Sequence, residues 1–271
     1  MWHAPTPSVP RARKTWPRAV GAVALVVIAA CGALVLTTPA KRGSLVSRSN
    51  WSLSTALPPR SDFPADWDYS VSGLVGWAFP PSRSPQGAAA TAGHAARYTP
   101  EACGDVPTIL TGPGRYVAHV RADHDPDPWW IAKAVPPDAA ATGETDEHGP
   151  TASFVIWAVD DGPALITDYL RWLRRCRSYQ VAAEDPFTHE THERAVSTVI
   201  DKTSDGHADA AVAVTRWFVT TGDGHAPSST YRVSYYAVRG LLLECSTNVD
   251  GSGAEMVGKL AGQTVQRIGA L

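Results

Sequence analysis

Residues 151–176 read TASFVIWAVDDGPALITDYLRWLRRC, a stretch in which a strand pattern changes to a helix pattern. The first nine residues form a continuous β-branched and aromatic run, which is typical of a central strand covered on both faces. Asp160 or Asp161 then offers a side-chain cap, and Pro163 suits the first helical turn. Apolar residues follow at helical spacing, at Leu165, Tyr169, Trp172, Leu173 and Cys176. The stretch therefore predicts a buried strand followed by an amphipathic helix.

Further strands are predicted on both sides of this stretch from short apolar or alternating runs. They cover residues 69–75, 115–122, 179–182, 195–200, 211–220, 230–238 and 241–247. Arg239 and Gly240 separate the last two runs, as expected of a two-residue hairpin link. The links are too short for crossover helices, so neighbouring strands should be antiparallel.

A second helix is predicted at the end of the chain. Residues 252–255 (SGAE) match a capping box, in which Ser252 and Glu255 satisfy each other's backbone N–H groups. Apolar residues continue from there as one stripe through Ile268, as expected of a helix packed on a sheet. The order of elements predicts an α+β domain, in which a mainly antiparallel sheet of about five to seven strands carries both main helices on one face.

Composition and charge limit the class of protein and its partners. The chain has 271 residues, of which 44% are hydrophobic and 18% charged, so it is not a disordered chain. Its first 50 residues carry seven basic side chains and no acidic one, which leaves 17 Lys and Arg against 26 Asp and Glu in the rest. An acidic body argues against nucleic acid as a partner, because phosphate backbones are bound by clustered basic groups. The densest basic cluster lies on the predicted helix and is interpreted as a solvated face; it comprises Arg171, Arg174, Arg175 and Arg177.

The N-terminal region predicts export. Residues 19–36 (AVGAVALVVIAACGALVL) are uncharged and just long enough to cross a bilayer as a helix, and four basic residues precede them. Three interpretations stay open: a retained signal anchor over residues 19–38, cleavage after Ala40, and a bacterial lipobox whose Cys31 is lipidated. Each of them places the body outside the cytoplasm. The expected division is a cytoplasmic segment 1–18, a transmembrane segment 19–38, a linker 39–60 and an extracytoplasmic domain 61–271.

Three cysteines lie in the body, Cys103, Cys176 and Cys245, and disulfides persist in an exported domain. One bridge and one unpaired thiol are expected, and the residues alone leave all three pairings open. Spacings of 73 and 69 residues exclude a local zinc knuckle, whose ligands lie about two to five residues apart.

Two other motifs are candidates for binding sites. Trp129 and Trp130 follow a polar loop and are weak candidates for a ligand or interface surface. His189 and His192 are three residues apart rather than the four of the zinc-protease helix, so they are interpreted as part of a polar loop.

Catalytic and metal signals are weak. The acidic residues from Asp123 to Asp127 alternate as in calcium loops, but the loop glycine and the terminal glutamate are missing. Ser252 lacks the flanking pattern of a nucleophile elbow. An enzyme would have to use His119 or His124 near Asp123, which is the only pairing of this kind. No catalytic, cofactor-binding or metal-binding residue is predicted.

Several landmarks together resemble the PknH-like extracellular sensor domain family of actinobacteria, which includes kinase ectodomains and anchored or lipidated envelope proteins. They are FPADW, YTPEACGD, YLRWLRRC, YAVRGLLLEC and GAEMVGKLAGQTVQRI, and they extend the resemblance over residues 62–271. The resemblance implies an α+β domain with a cleft and a disulfide between Cys103 and Cys176. The kinase ectodomain has four paired cysteines, so Cys245 is expected to be a buried free thiol here. Phosphoryl transfer is not implied.

The sequence thus predicts a membrane-anchored, extracytoplasmic, sensor-like domain that binds a small ligand or a cell-envelope component, such as a lipid, a glycan or an envelope protein. It is expected to need no cofactor and to catalyse no reaction. The alternatives are a scaffold or protein-interaction module of the envelope and, less favoured, an envelope hydrolase.

Overall fold

The computed structural model describes residues 43–73, 96–123, 151–184, 191–221 and 228–271. Ser44–Leu271 form one compact unit. Within the described residues, no helix is long and apolar enough to cross a membrane, and residues 19–38 lie outside them.

The described residues contain nine strands in one sheet. They are β1 (Asp68–Gly73), β2 (Arg97–Thr99), β3 (Arg115–Asp123), β4 (Thr151–Ala158), β5 (Ser178–Glu184), β6 (Thr191–Lys202), β7 (Ala210–Thr221), β8 (Ser228–Val238) and β9 (Leu241–Thr247). Their spatial order is β1-β3-β4-β9-β8-β7-β6-β5-β2, and every neighbouring pair is antiparallel. The α+β class is confirmed. The sheet is wider than expected, and its edge strand β2 has too few residues to leave a pattern in the sequence.

Four helices accompany the sheet in the described part of the chain: α1 (Asn50–Ser54), α2 (Thr108–Thr111), α3 (Gly162–Arg175) and α4 (Ser252–Ala270). Helix α3 begins as predicted, because the Asp161 carboxylate accepts a hydrogen bond from the Ala164 N–H at 3.0 Å. The capping box predicted for α4 is wrong. Gly251 occupies the N-cap position with φ 56°, so Ser252 is already the first helical residue and its side chain makes no cap.

The prediction that both main helices lie on one face of the sheet is also wrong. Successive side chains of a strand point to opposite faces, and the start of β9 is apolar at every position. Leu241 and Leu243 pack in the core that holds α4, whereas Leu242 packs in the core that holds α3. The two helices therefore cover opposite faces, which are called here the α4 face and the α3 face.

The core on the α4 face also takes in the chain that leads into the domain. Leu45, Leu53 and Leu57 are buried there beside the inward residues of β3, β4 and β9. Part of the predicted linker 39–60 is therefore packed into the domain from Ser44 onward, because its leucines bury apolar surface that would otherwise face water.

The core on the α3 face contains a disulfide bond. Cys103 and Cys176 are bonded, with 5.6 Å between their Cα atoms, and they join the 3₁₀ turn Glu101–Gly104 to the end of α3. The pairing implied by the family resemblance is confirmed. Cys245 is the free cysteine among the described residues, and it is buried on the α4 face.

The apolar sequence of β4 predicted a strand covered on both faces. In the structure, only one of its faces is fully covered. Its residues Ala152, Phe154, Ile156 and Ala158 are buried on the α4 face, whereas the alternate residues are only half-buried. The fully covered strand is β9, in which residues of both faces are buried. An apolar run thus indicates a strand without telling which neighbour covers its second face.

The predicted hairpin between β8 and β9 is confirmed. Its two link residues, Arg239 and Gly240, have φ of 53° and 84°, the left-handed conformation that a two-residue link requires. A Cβ atom at Gly240 would lie 2.7 Å from the Ser44 Oγ and 2.8 Å from the Val46 Cγ2. The glycine thus permits both the turn and the approach of the N-terminal segment.

We expect Gly240→Ala to lower the free energy of unfolding by about 1–2 kcal/mol, because alanine is strained at positive φ and its methyl group meets Ser44. The matched control is Gly258→Ala on the exposed side of α4, where an added Cβ has nothing within 4 Å. That change should raise stability by about 0.5–1 kcal/mol, since alanine favours the helix. Urea denaturation measures both, and equal effects would contradict the packing described for the hairpin.

Candidate functional site

The two halves of the α3 face differ in their covering. Helix α3 lies over β7 and β8, whereas β3, β4 and β9 bear half-buried polar and aromatic side chains on the same face. We call this set the polar shelf; it consists of Tyr116, His119, Ser153, Trp157 and Glu244. Strand alternation places it there, because His119, Ser153 and Glu244 occupy the positions between residues buried on the α4 face.

Hydrogen bonds join the shelf residues in pairs. The His119 Nε2 lies 2.8 Å from the Ser153 Oγ, and the Trp157 Nε1 donates to the Glu244 Oε2 at 3.3 Å. The Tyr116 hydroxyl lies 2.8 Å from the Ser72 Oγ on β1. The rings of Tyr116 and Trp157 meet edge to face with 5.7 Å between centroids. These contacts hold the shelf side chains in fixed positions on a rigid sheet.

The chemistry of the shelf is that of a surface for polar recognition. It offers hydroxyl and imidazole groups that both donate and accept, and a carboxylate that only accepts. Two aromatic rings add apolar area beside them. Ligand sites commonly combine apolar lining with a few fixed polar groups in this way.

A buried cluster adjoins the shelf beneath α3. The Arg216 side chain on β7 is fully buried, with its Nη2 3.1 Å from the Tyr179 hydroxyl and its Nε 3.4 Å from the Thr198 Oγ1. Its guanidinium carbon lies 5.9 Å from the ring centroids of Trp172 and Phe218. The set formed by Arg216, Tyr169, Tyr179 and Tyr235 is called here the arginine–tyrosine cluster.

The tyrosines of this cluster are neutral hydrogen-bond donors at physiological pH. Burial raises the pKa of Tyr169, Tyr179 and Tyr235, and the positive charge of Arg216 acts in the opposite direction on each. The Glu244 charge raises the pKa of Tyr169 and Tyr235 further. Glu244 pairs with Tyr235 across β8 and β9, so its carboxylate connects the shelf with the cluster.

Apart from the disulfide-bonded Cys103 and Cys176, the residues predicted as sites are not brought together in the described part of the chain. Cys31, Trp129, Trp130, His124 and His189 lie outside the described residues. His192 belongs to β6. Asp123 is buried at the end of β3, and its carboxylate accepts a hydrogen bond from the Arg121 Nε at 3.0 Å. Ser252 begins α4. The arginines on and just after α3 are exposed, as predicted for a solvated face.

Metal binding gains no support from these positions. Among the residues that the structure describes, no three or more His, Cys, Asp or Glu side chains are grouped so that they could hold a metal ion.

Sequence reasoning missed the polar shelf and the arginine–tyrosine cluster, although each left a signal. Ser153 and Glu244 are polar residues within otherwise apolar strands, at positions where alternation turns them to one face. Arg216 occupies the same face as Val212, Val214 and Phe218 within one strand. A polar residue at an inward position is the pattern that indicates a buried polar site.

Among solved structures, the chain has a distant likeness to an extracellular domain. No protein-family model and no curated protein sequence matches the chain at a significant level. The solved extracellular domain of PknH from Mycobacterium tuberculosis aligns with 82% of this chain and 97% of its own length, at 10% identity and a TM-score of 0.46. It belongs to the family that the sequence landmarks resemble, and at this level the likeness is distant.

Proposed function

We propose that this chain is an extracytoplasmic, sensor-like binding domain, held at the membrane by residues 19–38, whose polar shelf takes a small ligand or a cell-envelope component without transforming it. The observation that carries the proposal is the shelf itself. It presents fixed, half-buried donors, acceptors and aromatic rings on a sheet whose opposite face, along the same strands, is fully packed.

Export of the domain is supported by two independent features. The Cys103–Cys176 disulfide is stable in an oxidising compartment outside the cytoplasm. The uncharged run 19–36 follows a basic N-terminus, the order found in segments that direct a C-terminal domain across the membrane.

The shelf favours a ligand with both polar and apolar surface, such as a glycan or a lipid headgroup. Tyr116 and Trp157 offer ring surface to apolar patches of the ligand. His119, Ser153 and Glu244 offer hydrogen-bonding groups that fix its orientation.

A protein-interaction module is the second candidate, because one apolar patch lies on the α4 face at β6 and β7. We call it the outer patch; it consists of Val199, Trp217 and Val219. Val199 is 50% exposed and Val219 40% exposed, and Trp217 is half-buried beside them. Contiguous exposed apolar side chains of this kind commonly mark protein contacts.

The His119–Ser153 pair is also the arrangement that a hydrolase would use. A base such as His119 within hydrogen-bond reach can activate a hydroxyl nucleophile such as Ser153. In the proposed binding role, the pair orients a ligand and no bond is broken. Ser153→Ala separates these roles: it should weaken ligand binding by no more than about tenfold, the loss of one hydrogen bond. Release of a cleaved ligand by the unaltered chain, but not by the variant, would establish the hydrolase instead.

Native mass spectrometry of residues 44–271 exported to a periplasm tests the binding function. We expect a lipid or glycan adduct on the native protein that disappears on denaturation. Trp157→Ala should remove most of the adduct, because Trp157 provides ring surface on the shelf and donates a hydrogen bond to Glu244.

The matched control is Trp217→Ala, which removes the same side chain from the outer patch on the opposite face and should leave the adduct in place. Tyr116→Phe, which deletes only a shelf hydroxyl, keeps the test valid if Trp157→Ala folds poorly. An adduct lost with Trp217→Ala but retained by both shelf variants would refute the shelf as the binding site. If the native mass shows no adduct, and a partner protein binds the unaltered chain but not the Trp217→Ala variant, the interaction module would be favoured.

A further inference from the structure

The stretch that leads into the domain is basic in sequence, although the body of the chain is acidic. Residues 37–61 contain four basic side chains and no acidic one. The compact domain begins at Ser44, six residues after the end of the proposed anchor 19–38. Six residues of extended chain reach about 20 Å. When the anchor spans the bilayer, Ser44 therefore stays within about that distance of the lipid surface.

This lead-in exposes apolar side chains close to the start of the domain. Trp51 on α1 is 67% exposed and Val46 is 38% exposed. Within the described residues, Trp51 is the most exposed of the large hydrophobic side chains. Leu45 and Leu53 of the same segment are buried in the core of the α4 face. Trp51 thus protrudes from a segment that is otherwise packed against the domain.

Two arginines flank these apolar side chains. The exposed Arg115 guanidinium at the start of β3 donates to the Asn50 Oδ1 at 2.8 Å and to the Val46 carbonyl oxygen at 3.4 Å. Both acceptors are uncharged, so neither neutralises its positive charge. Arg48 is exposed as well, and its Nη2 donates to the main-chain oxygen of Leu271 at 2.7 Å. We call this set the basic–aromatic patch; it consists of Val46, Arg48, Trp51 and Arg115.

We propose that the basic–aromatic patch docks the domain onto the anionic lipid surface of the membrane. Tryptophan favours the headgroup region, because its ring is apolar while its N–H can stay hydrogen-bonded. Basic side chains are attracted to negatively charged headgroups, and salt confines that attraction to groups close to the surface. The patch combines both kinds of group where the domain begins. The inference rests on the anchor of the proposed function, and it adds a fixed orientation of the domain on the membrane.

Hydroxyl-radical footprinting of the full chain in lipid nanodiscs tests this docking, because mass spectrometry resolves the oxidation of individual tryptophans. We expect Trp51 to be oxidised about fivefold more slowly in phosphatidylglycerol discs than in phosphatidylcholine discs, the effect of one basic group at an anionic surface. Raising the salt to about 0.5 M should remove most of the difference by screening. Trp217 on the outer patch is the internal reference and should react equally in both discs.

Substitutions of Arg115 test the role of its charge. Arg115→Gln should abolish most of the protection of Trp51, whereas Arg115→Lys, which keeps the charge, should retain it. The matched control is Lys259→Gln, which removes the same charge from the exposed side of α4, about 18 Å of helix before Leu271. Because that distance exceeds the screening length, the control should leave the protection unchanged.

The possible outcomes distinguish the patch from the anchor. A Trp51 that reacts equally in both discs would overturn the docking, even with the chain held in the disc. A chain that does not enter the discs would contradict the anchor instead, and protection of its Trp51 by added phosphatidylglycerol vesicles would still support the patch. Protection already present in detergent and lost on dilution would identify a second copy of the chain as the occupant, and would refute the lipid surface.

Discussion

Replacing Cys103 and Cys176 together by alanine is expected to lower the free energy of unfolding by about 4 kcal/mol. The bond closes a loop of 73 residues, and a cross-link over a loop of this length removes much of the conformational entropy of the unfolded chain. Both cysteines are also buried in the core of the α3 face, so their loss leaves small cavities as well.

Urea denaturation of the oxidised and reduced chain measures this effect. Reduction should bring the unaltered chain down to about the level of the double variant and should leave the variant unchanged. Cys245→Ala is the control, because this buried thiol forms no disulfide and its removal should cost about 1 kcal/mol. If reduction had no effect on the unaltered chain, the bond would not stabilise the fold as described.

Trp172→Ala is expected to cost about 3–5 kcal/mol, the usual range for deleting a large buried aromatic side chain. Trp172 holds the centre of the core on the α3 face. Its ring stacks on Tyr169, meets Tyr179 edge to face and faces the guanidinium of Arg216. Its Nε1 donates to the Cys103 carbonyl oxygen at 3.3 Å, so the indole also positions the turn that carries the disulfide.

The control for this substitution is Trp51→Ala, the same change in a side chain that is 67% exposed on α1. Its effect should stay within about 0.5 kcal/mol. Chemical denaturation of the two variants under the same conditions gives the comparison. Similar losses would mean that Trp172 does not anchor the core. A triple variant lacking Trp172 and the disulfide should lose less than the sum, because the two features fix the same turn.

Local signals were sufficient to predict most elements from the sequence. The start of α3, the hairpin at Arg239 and Gly240 and most strands depend on neighbouring residues, and the structure confirms them. The capping box failed because Gly251 can adopt the turn at the helix start, which makes Ser252 helical. A motif of four residues does not determine which of them the helix begins with.

Distant contacts could not be predicted in the same way. The placement of α3 and α4 on opposite faces depends on β9, whose consecutive leucines serve both cores. Periodicity indicates which residues of an element are buried, but not which partner buries them. The packing of Leu45 and Leu53 against the sheet is similarly long-range, so the lead-in was predicted as a linker.

The candidate site illustrates the same limit. The shelf unites Tyr116, Ser153, Trp157 and Glu244 from three strands that are up to 128 residues apart in the chain. None of these residues forms a motif with its sequence neighbours, whereas Trp129 and Trp130 form one because they are adjacent. Assembly by strand pairing is what creates the site.

The polar shelf and the outer patch lie on opposite sides of one sheet. The shelf is on the α3 face, to which Arg216 of β7 also points, whereas the next residue, Trp217, points to the α4 face and belongs to the outer patch. A molecule seated on one side is therefore separated from the other by the thickness of the sheet. Two different partners would not compete for space, and each could be titrated in the presence of the other.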